Sequence, residues 1–423
     1  MNKPLFVISC PIDTYSGYGS RSRDLVKAII EIGKYDVKIL PQRWGSTPFG
    51  YIEDHIEEWG FLSNHLLPNN QLTQQPEIWM QITIPSEFQR IGKYNIGVTA
   101  GIESTICNPK WIEGLNRMDI NWVSSNHSKK VFESSKFNIQ GGGLLQNEKP
   151  IEVVMEGANL EIFKHIPNKD VSFDLSIVEE SFCFLFVGHW MQGHFGHDRK
   201  NVSLLVKSFL ETFKNKDKKP ALILKTTGVG GSIMDREEML VRIDSIRKTV
   251  KGDLPNIYLL HGELTEKQLN EVYNHPKVKA MVSLTKGEGF GRPLLEFTLS
   301  KKPVIATNFS GHLDFLKPQY NSLIGGHLEN IHPSAVNEWL IKESQWFAAD
   351  TTQVGQIFTD MFKNYPKYQE MGKRQENHSR TNFSYEKMKN LIEEILNKTI
   401  PEFPKQVQIQ LPSLNLPKLQ KIK

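Results

Sequence analysis

Short apolar runs alternate along most of the chain with longer segments of helical periodicity. Such brief runs, rich in Val, Ile and Leu, are typical of buried strands. In the first half, the predicted strands are Leu5–Ile8, Val37–Leu40, Ile78–Ile84, Ile96–Ala100, Ile120–Val123 and Ile151–Val154, and the helical or loop segments between them include Arg21–Ile32, Trp111–Asn116 and His127–Phe137. The alternation predicts a parallel sheet with helices on both faces.

A second series of the same kind follows the polar stretch His165–Glu180, which we interpret as a linker. Its predicted strands are Phe182–Val187, Ala221–Thr226, Ile257–Leu260, Ala280–Leu284 and Pro303–Thr307, and its predicted helices are Asn201–Lys214, Asp235–Val250, Thr265–Tyr273, Pro293–Ser300, Ser334–Phe347, Thr351–Tyr365 and Tyr385–Leu396. The chain therefore divides into residues 1–165 and 166–375, two Rossmann-like doubly wound α/β domains. We predict that the active or ligand-binding site lies in the cleft between these two domains.

Three other segments fit neither series. Tyr51–Gln75, rich in polar and aromatic residues, is predicted to leave the edge of the first sheet rather than join its core, and Gln140–Lys149 is predicted to be a surface loop. Residues 376–423 are predicted to form a helix that crosses back to the first domain, followed by a Pro- and Lys-rich tail from Pro401. That tail is either a plain solvated terminus or a contact for an anionic acceptor or membrane surface.

Composition excludes several classes of protein. The chain has 423 residues, of which 39% are hydrophobic and 23% charged, as expected for a globular protein. No apolar run is long enough for a membrane span, and the N-terminus lacks a signal-peptide pattern. The three cysteines have no disulfide or metal spacing, and the net charge of +4 is too weak to indicate nucleic-acid binding. We therefore predict a cytoplasmic protein.

The stretch Thr285–Glu296 carries the strongest chemical signal. It follows a predicted strand and leads into a predicted helix whose first turn accommodates Pro293. Its glycines allow close backbone approach, and the amides near Phe290–Leu294 would favour an anion. With Glu288 and Glu296 on either side, the stretch suits a sugar nucleotide, whose hydroxyls the acids would bind. Surface glutamates beside an ordinary turn are the alternative.

A second glycine-containing segment, Pro11–Ser20, follows the first predicted strand and is predicted to be a loop. It is a poor match to the dinucleotide fingerprint, because it lacks the third glycine and the next strand does not end in an acid. Gly17 and Gly19 are therefore interpreted as packing beside a substrate or as making a turn.

The second half resembles a known family. E-G-F-G-R-P-L-L-E at 288–296, F-L-F-V-G-H-W at 184–190 and D-R-K-N-V at 198–202 resemble the family 4 retaining glycosyltransferases, which have the GT-B fold. The first half resembles that family at 111–132 and at 153–163, where Asn159 stands in place of the usual aspartate. The resemblance implies that Glu288 contacts the sugar and Glu296 the ribose. The implied donor-binding residues also include Gly289, Phe290, Gly291, Arg292 and Leu295.

The nucleotide's diphosphate requires positive charge. Arg199 and Lys200, predicted at the start of a helix, match the basic pair of the family, whereas His189 occupies the position of a further arginine. The spacing of His189, His194 and His197 matches no common zinc pattern. The resemblance implies catalysis without a metal, and we expect no cofactor.

On the acceptor side, Glu103 follows a predicted strand and could orient the acceptor hydroxyl, although an acid at the N-terminus of a helix is an equal alternative. His127 is interpreted as a helix-cap residue rather than a catalytic one. The predicted donor is a UDP- or GDP-linked sugar, and the acceptor could be a glycan, a lipid-linked molecule, a protein or a nucleic-acid base. A nucleotide-sugar 2-epimerase and an inactive glycan-binding relative are the alternative functions.

Overall fold

The computed structural model describes residues 3–191, 193, 195–228 and 232–403, which form two α/β domains. The strands of the first domain are β1 (Leu5–Cys10), β2 (Asp36–Pro41), β3 (Ile78–Ile82), β4 (Tyr94–Thr99), β5 (Ile120–Val123), β6 (Phe137–Asn138), β7 (Leu144–Leu145) and β8 (Ile151–Val153). Its helices are α1 (Gly17–Ile32), α2 (Tyr51–Asp54), α3 (Ile56–Trp59), α4 (Pro109–Arg117) and α5 (Asn126–Ser134).

Six of these strands form a parallel sheet in the order β2-β1-β3-β4-β5-β8. Side chains alternate across a strand, so Phe6 and Ile8 enter one buried cluster while Val7 enters the cluster on the opposite face. Both faces are therefore covered, as the near-continuous apolar runs of the sequence predict.

The second domain repeats this plan. Its strands are β9 (Cys183–Val187), β10 (Ala221–Lys225), β11 (Ile257–Leu260), β12 (Val278–Ser283), β13 (Val304–Thr307), β14 (Ser322–Ile324), β15 (Gly326–Asn330) and β16 (Gln345–Ala349). Its helices are α6 (Val202–Phe213), α7 (Ile233–Arg247), α8 (Glu266–Asn274), α9 (Arg292–Thr298), α10 (Thr351–Lys363) and α11 (Tyr365–Asn382), and α12 (Tyr385–Thr399) follows. The parallel sheet has the order β11-β10-β9-β12-β13-β14.

This strand order positions a site. Strands β10 and β11 are added on one side of β9, and the chain then crosses to the other side of β9, where β12 pairs. Loops after β9 and β12 diverge there, and in open α/β sheets ligands bind in that crevice, beyond the carboxyl ends of the strands.

Helix α12 packs on the first domain. Met388, Ile392 and Leu396 are buried in the same cluster as residues of β1 and α1. The domain limits at 165 and 375 remain predictions. The tail from Pro401 lies outside the described residues beyond Phe403, and none of the described helices is long and apolar enough to cross a membrane.

The predicted helix Ser334–Phe347 is wrong. A single 3-10 turn, Pro333–Ala335, is followed by an irregular segment and then by β16, which pairs antiparallel with β15. The side chain of Asn337 accepts hydrogen bonds from the amides of Trp339 and Leu340, both at 2.8 Å. Such local side-chain bonds compete with helix formation.

Other local predictions also need correction. Gly17 and Gly19 lie in the first turn of α1 rather than in a loop, because the side chain of Ser16 caps that helix. The predicted excursion Tyr51–Gln75 reaches the core through buried Trp59 and Leu62. Further buried or paired residues are Ile52 in that excursion, Leu175 and Val178 in the predicted linker, and strand β7 in the predicted loop 140–149, which pairs with β6 just before that loop.

Candidate active site

Two loops meet at the carboxyl ends of β9 and β12. The amide of Lys286 donates a hydrogen bond to the carbonyl oxygen of Arg199 at 2.8 Å. Nearby, the Asn201 side-chain amide donates to the carbonyl oxygen of Leu284 at 3.2 Å. These bonds fasten the loop after β9 to the loop after β12, so that both present their residues at one place.

A tight turn before α6 directs Arg199 and Lys200 toward the carboxyl ends of β9 and β12. Buried Asp198 accepts hydrogen bonds from the amide of Val202 and the hydroxyl of Ser203, both at 3.1 Å, and so satisfies the first turn of α6. Asn201 adopts a left-handed conformation with φ of 56°. Arg199 and Lys200 therefore lie just before the helix rather than in its first turn.

Glu288 is the centre of the resulting charge cluster. Lys200 Nζ donates to both of its carboxylate oxygens, at 2.6 and 2.7 Å, and Arg199 Nη1 lies 3.6 Å from Glu288 Oε2. Glu288 is only 8% exposed. Burial opposes its ionisation, but Lys200 and Arg199 outweigh that effect and hold the pKa of Glu288 below its usual value.

The first domain completes the cluster. Glu103, which follows β4, places Oε1 3.4 Å from Arg199 Nη2. Burial works against the charge of Arg199, yet Glu103 and Glu288 raise its pKa. Two cations and two carboxylates thus alternate within one cluster at the contact between the domains, and their charges balance.

The two domains touch through their backbones beside this cluster. An added Cβ at Gly287 would lie 1.9 Å from the carbonyl oxygen of Glu103, and one at Gly289 would lie 2.5 Å from that of Ala100. In this structure these glycines therefore permit close approach of the first domain. Gly291 is the N-cap residue of α9 and has φ of 95°, a conformation that favours glycine.

Glu296 lies further along α9 and is 5% exposed. Its Oε1 accepts a hydrogen bond from Arg292 Nε at 2.8 Å, and Arg292 is also paired with Asp24 of the first domain. Burial raises the pKa of Glu296 to about 8, and Glu266 and Asp24 contribute to this rise while Arg292 opposes it.

Other predicted donor-binding residues have different surroundings. Phe290 and Leu295 are buried in the core of the second domain, and the Leu295 amide donates to the carbonyl oxygen of Gly291. Gly19 is packed against Thr14, where an added Cβ would lie 2.3 Å from the carbonyl oxygen, whereas Gly17 faces open space. His189 is exposed, with Nδ1 3.1 Å from the hydroxyl of Thr227.

Histidines of the two domains do not build a metal centre among the described residues. No group of three His, Cys, Asp or Glu in that part of the chain could hold an ion. The ring of His197 stacks on His332 with centroids 3.7 Å apart, and His194 lies outside the described residues. Burial lowers the pKa of His127 to about 4, and Ser125, not His127, caps α5.

Sequence reasoning missed several residues around the cluster. The hydroxyl of Ser310 accepts a hydrogen bond from the backbone amide of Glu288 at 2.8 Å. Lys286 Nζ lies 2.6 Å from Oε1 of Glu329 in β15. Nothing in the local sequence of Ser310 signals this contact. Asp24 could have been found, because this acid lies directly before the apolar residues Leu25 and Val26 of the predicted helical segment Arg21–Ile32.

Two parallel six-stranded sheets, with a charged cluster at the switch point of the second, have the architecture of the GT-B class of protein. Residues 183–332 match the sequence family described as Glycosyl transferases group 1. That segment contains Arg199, Lys200, Glu288 and Glu296. The chain is therefore a transferase enzyme that carries a group 1 glycosyl transferase domain.

Solved structures share this fold over nearly the whole chain. A glycosyltransferase from Rickettsia africae is 13% identical, with a TM-score of 0.64, and the match covers 95% of this chain and 99% of that one. Sucrose-phosphate synthase from Thermosynechococcus elongatus is 11% identical, with a TM-score of 0.61 and coverage of 94% and 99%. HepE from Anabaena, in complex with UDP-glucose, is 13% identical, with a TM-score of 0.64 and coverage of 93% and 100%. A search of curated protein sequences finds no significant match.

Proposed function

We propose that this chain transfers a sugar from a UDP- or GDP-linked sugar to a hydroxyl acceptor, with retention of the anomeric configuration. The observation that carries the proposal is the cluster of Lys200, Arg199 and Glu288 at the switch point, with Glu103 facing it across the cleft. Basic side chains suit a diphosphate and carboxylates suit sugar hydroxyls. A structural neighbour that holds UDP-glucose supports testing a uridine nucleotide first.

The diphosphate would replace the carboxylate of Glu288 as the partner of Lys200 and Arg199. Lys200 and Arg199 are now neutralised by Glu288 and Glu103. A bound diphosphate would take over those cations, and Glu288 would turn to the hydroxyls of the sugar. The exchange leaves no buried charge without a partner, which would otherwise be costly.

The nucleotide half would lie toward α9. There Glu296 would accept the ribose hydroxyls, with the backbone from Gly289 to Arg292 beside the phosphates. His189, at the end of β9, would contribute a hydrogen bond on the other side. The core positions of Phe290 and Leu295 limit these two residues to supporting this backbone.

In the chemical step, the bond from the anomeric carbon to the phosphate oxygen breaks, and the acceptor oxygen bonds to the same face of the sugar. The acceptor proton passes to the phosphate oxygen that leaves. Arg199 and Lys200 stabilise the negative charge that grows on that oxygen, and this is usually the largest catalytic contribution. Glu103 would orient the acceptor or balance positive charge at the anomeric carbon. We assign no protein nucleophile, metal or cofactor.

Nucleotide binding is the first test. In a thermal-shift panel of UDP, GDP, ADP and their sugars, a ligand near 100 times its Kd should stabilise the chain by roughly 2.7 kcal/mol. Lys200→Ala should abolish the shift. Lys219→Ala is the matched control, because Lys219 pairs with exposed Asp253 on the surface of the same domain. A chain that no nucleotide stabilises would contradict the proposal.

The second test separates transfer from epimerisation. The chain is incubated with UDP-glucose or GDP-mannose and a panel of hydroxyl acceptors, and the products are analysed by NMR. Release of nucleotide with a new glycosidic bond of unchanged anomeric configuration is the expected result. A donor that is returned with an inverted C2 would indicate the epimerase instead.

A further inference from the structure

One buried cluster of charges joins the two domains away from Glu288. We call it the Arg292 cluster, and it comprises Asp24 of α1, Glu266 of α8, and Arg292 and Glu296 of α9. Arg292 Nε donates to Glu296 at 2.8 Å, Arg292 Nη1 is paired with Asp24, and Arg292 Nη2 lies 4.0 Å from Glu266. A single guanidinium thus connects three carboxylates from three helices.

The geometry of the guanidinium links Asp24 to Glu296. The group is planar, with its N–H donors in a fixed fork, so the carboxylate at one end constrains the position of the carboxylate at the other. Asp24 and Glu296 are 8% and 5% exposed, respectively. Because both ends of the guanidinium are held, Arg292 cannot turn away from one of these carboxylates without also shifting against the other.

Only Asp24 of this cluster belongs to the first domain. Its pairing with Arg292 therefore exists only while the domains are in contact. The second oxygen of Glu296, Oε2, has no hydrogen-bond donor among the residues that the structure describes. Arg292 thus holds one oxygen of Glu296, and in the proposed function the other oxygen is the one that meets the ribose.

We propose that Asp24 is a positioning residue for nucleotide binding: it fixes Arg292 from the opposite domain, and through Arg292 it orients Glu296 toward the ribose. The inference rests on the proposed function, in which Glu296 binds the ribose. It adds that domain contact and nucleotide binding support each other, since a coupling between two equilibria acts in both directions.

The test measures the Kd of UDP, or of GDP where UDP does not bind, by isothermal titration calorimetry on the full chain. Asp24→Asn keeps the size of the side chain but removes its charge. We expect it to weaken nucleotide binding about fivefold or more, the lower end of typical coupling between sites. Asp314→Asn is the matched control. The carboxylate of Asp314 also bonds to the other domain, because it accepts a hydrogen bond from the backbone amide of Asn126 at 2.8 Å, but it does not contact Arg292.

A double-mutant cycle distinguishes positioning from a general structural role. If Asp24 acts through Glu296, Asp24→Asn should change the Kd by less than about twofold when Glu296→Gln is already present. Equal effects of Asp24→Asn in both backgrounds would overturn the proposal. So would a wild-type Kd in Asp24→Asn, or an equal loss in Asp314→Asn.

Arg292→Lys provides a second variant if Asp24→Asn fails to fold. Lysine keeps the charge but cannot hold two carboxylates in a fixed fork, so nucleotide binding should again weaken about fivefold or more. Wild-type affinity in Arg292→Lys would overturn the inference. If the wild-type chain binds no nucleotide, both the proposed function and the positioning role of Asp24 fail. If the wild type binds and Glu296→Gln weakens binding, but Asp24→Asn does not, only the positioning role fails.

Discussion

Gly289 allows a direct test of whether catalysis needs the two domains in contact. In Gly289→Ala, the added Cβ would lie 2.5 Å from the carbonyl oxygen of Ala100, well inside van der Waals contact. Gly289 does not have a positive φ, so alanine can adopt its backbone conformation. The cost of the substitution is therefore steric, and it falls on the contact between domains.

Its magnitude follows from the overlap. Inserting a methyl group into a closed contact costs about 1–3 kcal/mol. Since the domains can separate instead, this penalty should disfavour the closed arrangement rather than unfold either domain. At about 1.4 kcal/mol per factor of ten, kcat/KM should fall roughly 5- to 150-fold.

The assay compares initial rates of donor turnover with the radius of gyration from small-angle X-ray scattering. We expect Gly289→Ala to lose kcat/KM and to expand. Gly355→Ala is the control, because an added Cβ there meets only the hydroxyl of Thr212, at 3.2 Å, within the second domain. Wild-type kcat/KM together with a wild-type radius of gyration in Gly289→Ala would refute the reasoning.

Three further variants test individual side chains. Glu288→Gln should bind UDP more tightly in calorimetry, because Lys200 and Arg199 lose their carboxylate, while transfer falls by about 100-fold. Glu296→Gln should flatten the dependence of Tm on pH. Because the pKa of Glu296 is raised from 4.5 to about 8 on folding, its stabilising effect is present at low pH and is lost between about pH 5 and pH 8. Asp24, Glu266, Arg292 and Tyr273 are the titratable groups that face Glu296. Leu295→Ala should cost about 2–5 kcal/mol in urea unfolding, with folded protein still binding nucleotide.

Much of the fold was predictable because both sheets are buried on two faces. Strand β9 is a continuous apolar run, β3 is interrupted only by Gln81, and helix α6 carries an apolar stripe. The failure at Ser334–Phe347 has a local cause. Its apolar residues have helical spacing, but the side chain of Asn337 captures the amides that a helix would use. Spacing alone does not reveal such competition.

The site was predictable only in part, for a different reason. Glu288, Glu296, Arg199 and Lys200 lie in short segments with a recognisable pattern, although their roles remain predictions. Contacts between domains depend on how two sheets are placed relative to each other, and sequence periodicity carries no information about that placement. The pairing of Asp24 with Arg292 is such a contact, since 268 positions separate them.

The neutral cluster also bears on which ligand the cleft should prefer. In the proposed binding mode, a free nucleotide takes Lys200 and Arg199 from Glu288 and leaves that buried carboxylate without a partner, which is costly. A nucleotide sugar takes the same cations but offers hydroxyl groups to Glu288 in return. We therefore expect UDP-glucose to bind more tightly than UDP if glucose is the sugar transferred. In Glu288→Gln the buried charge is absent, so the ratio of the two Kd values should move toward one. An unchanged ratio would show that Glu288 does not face the sugar.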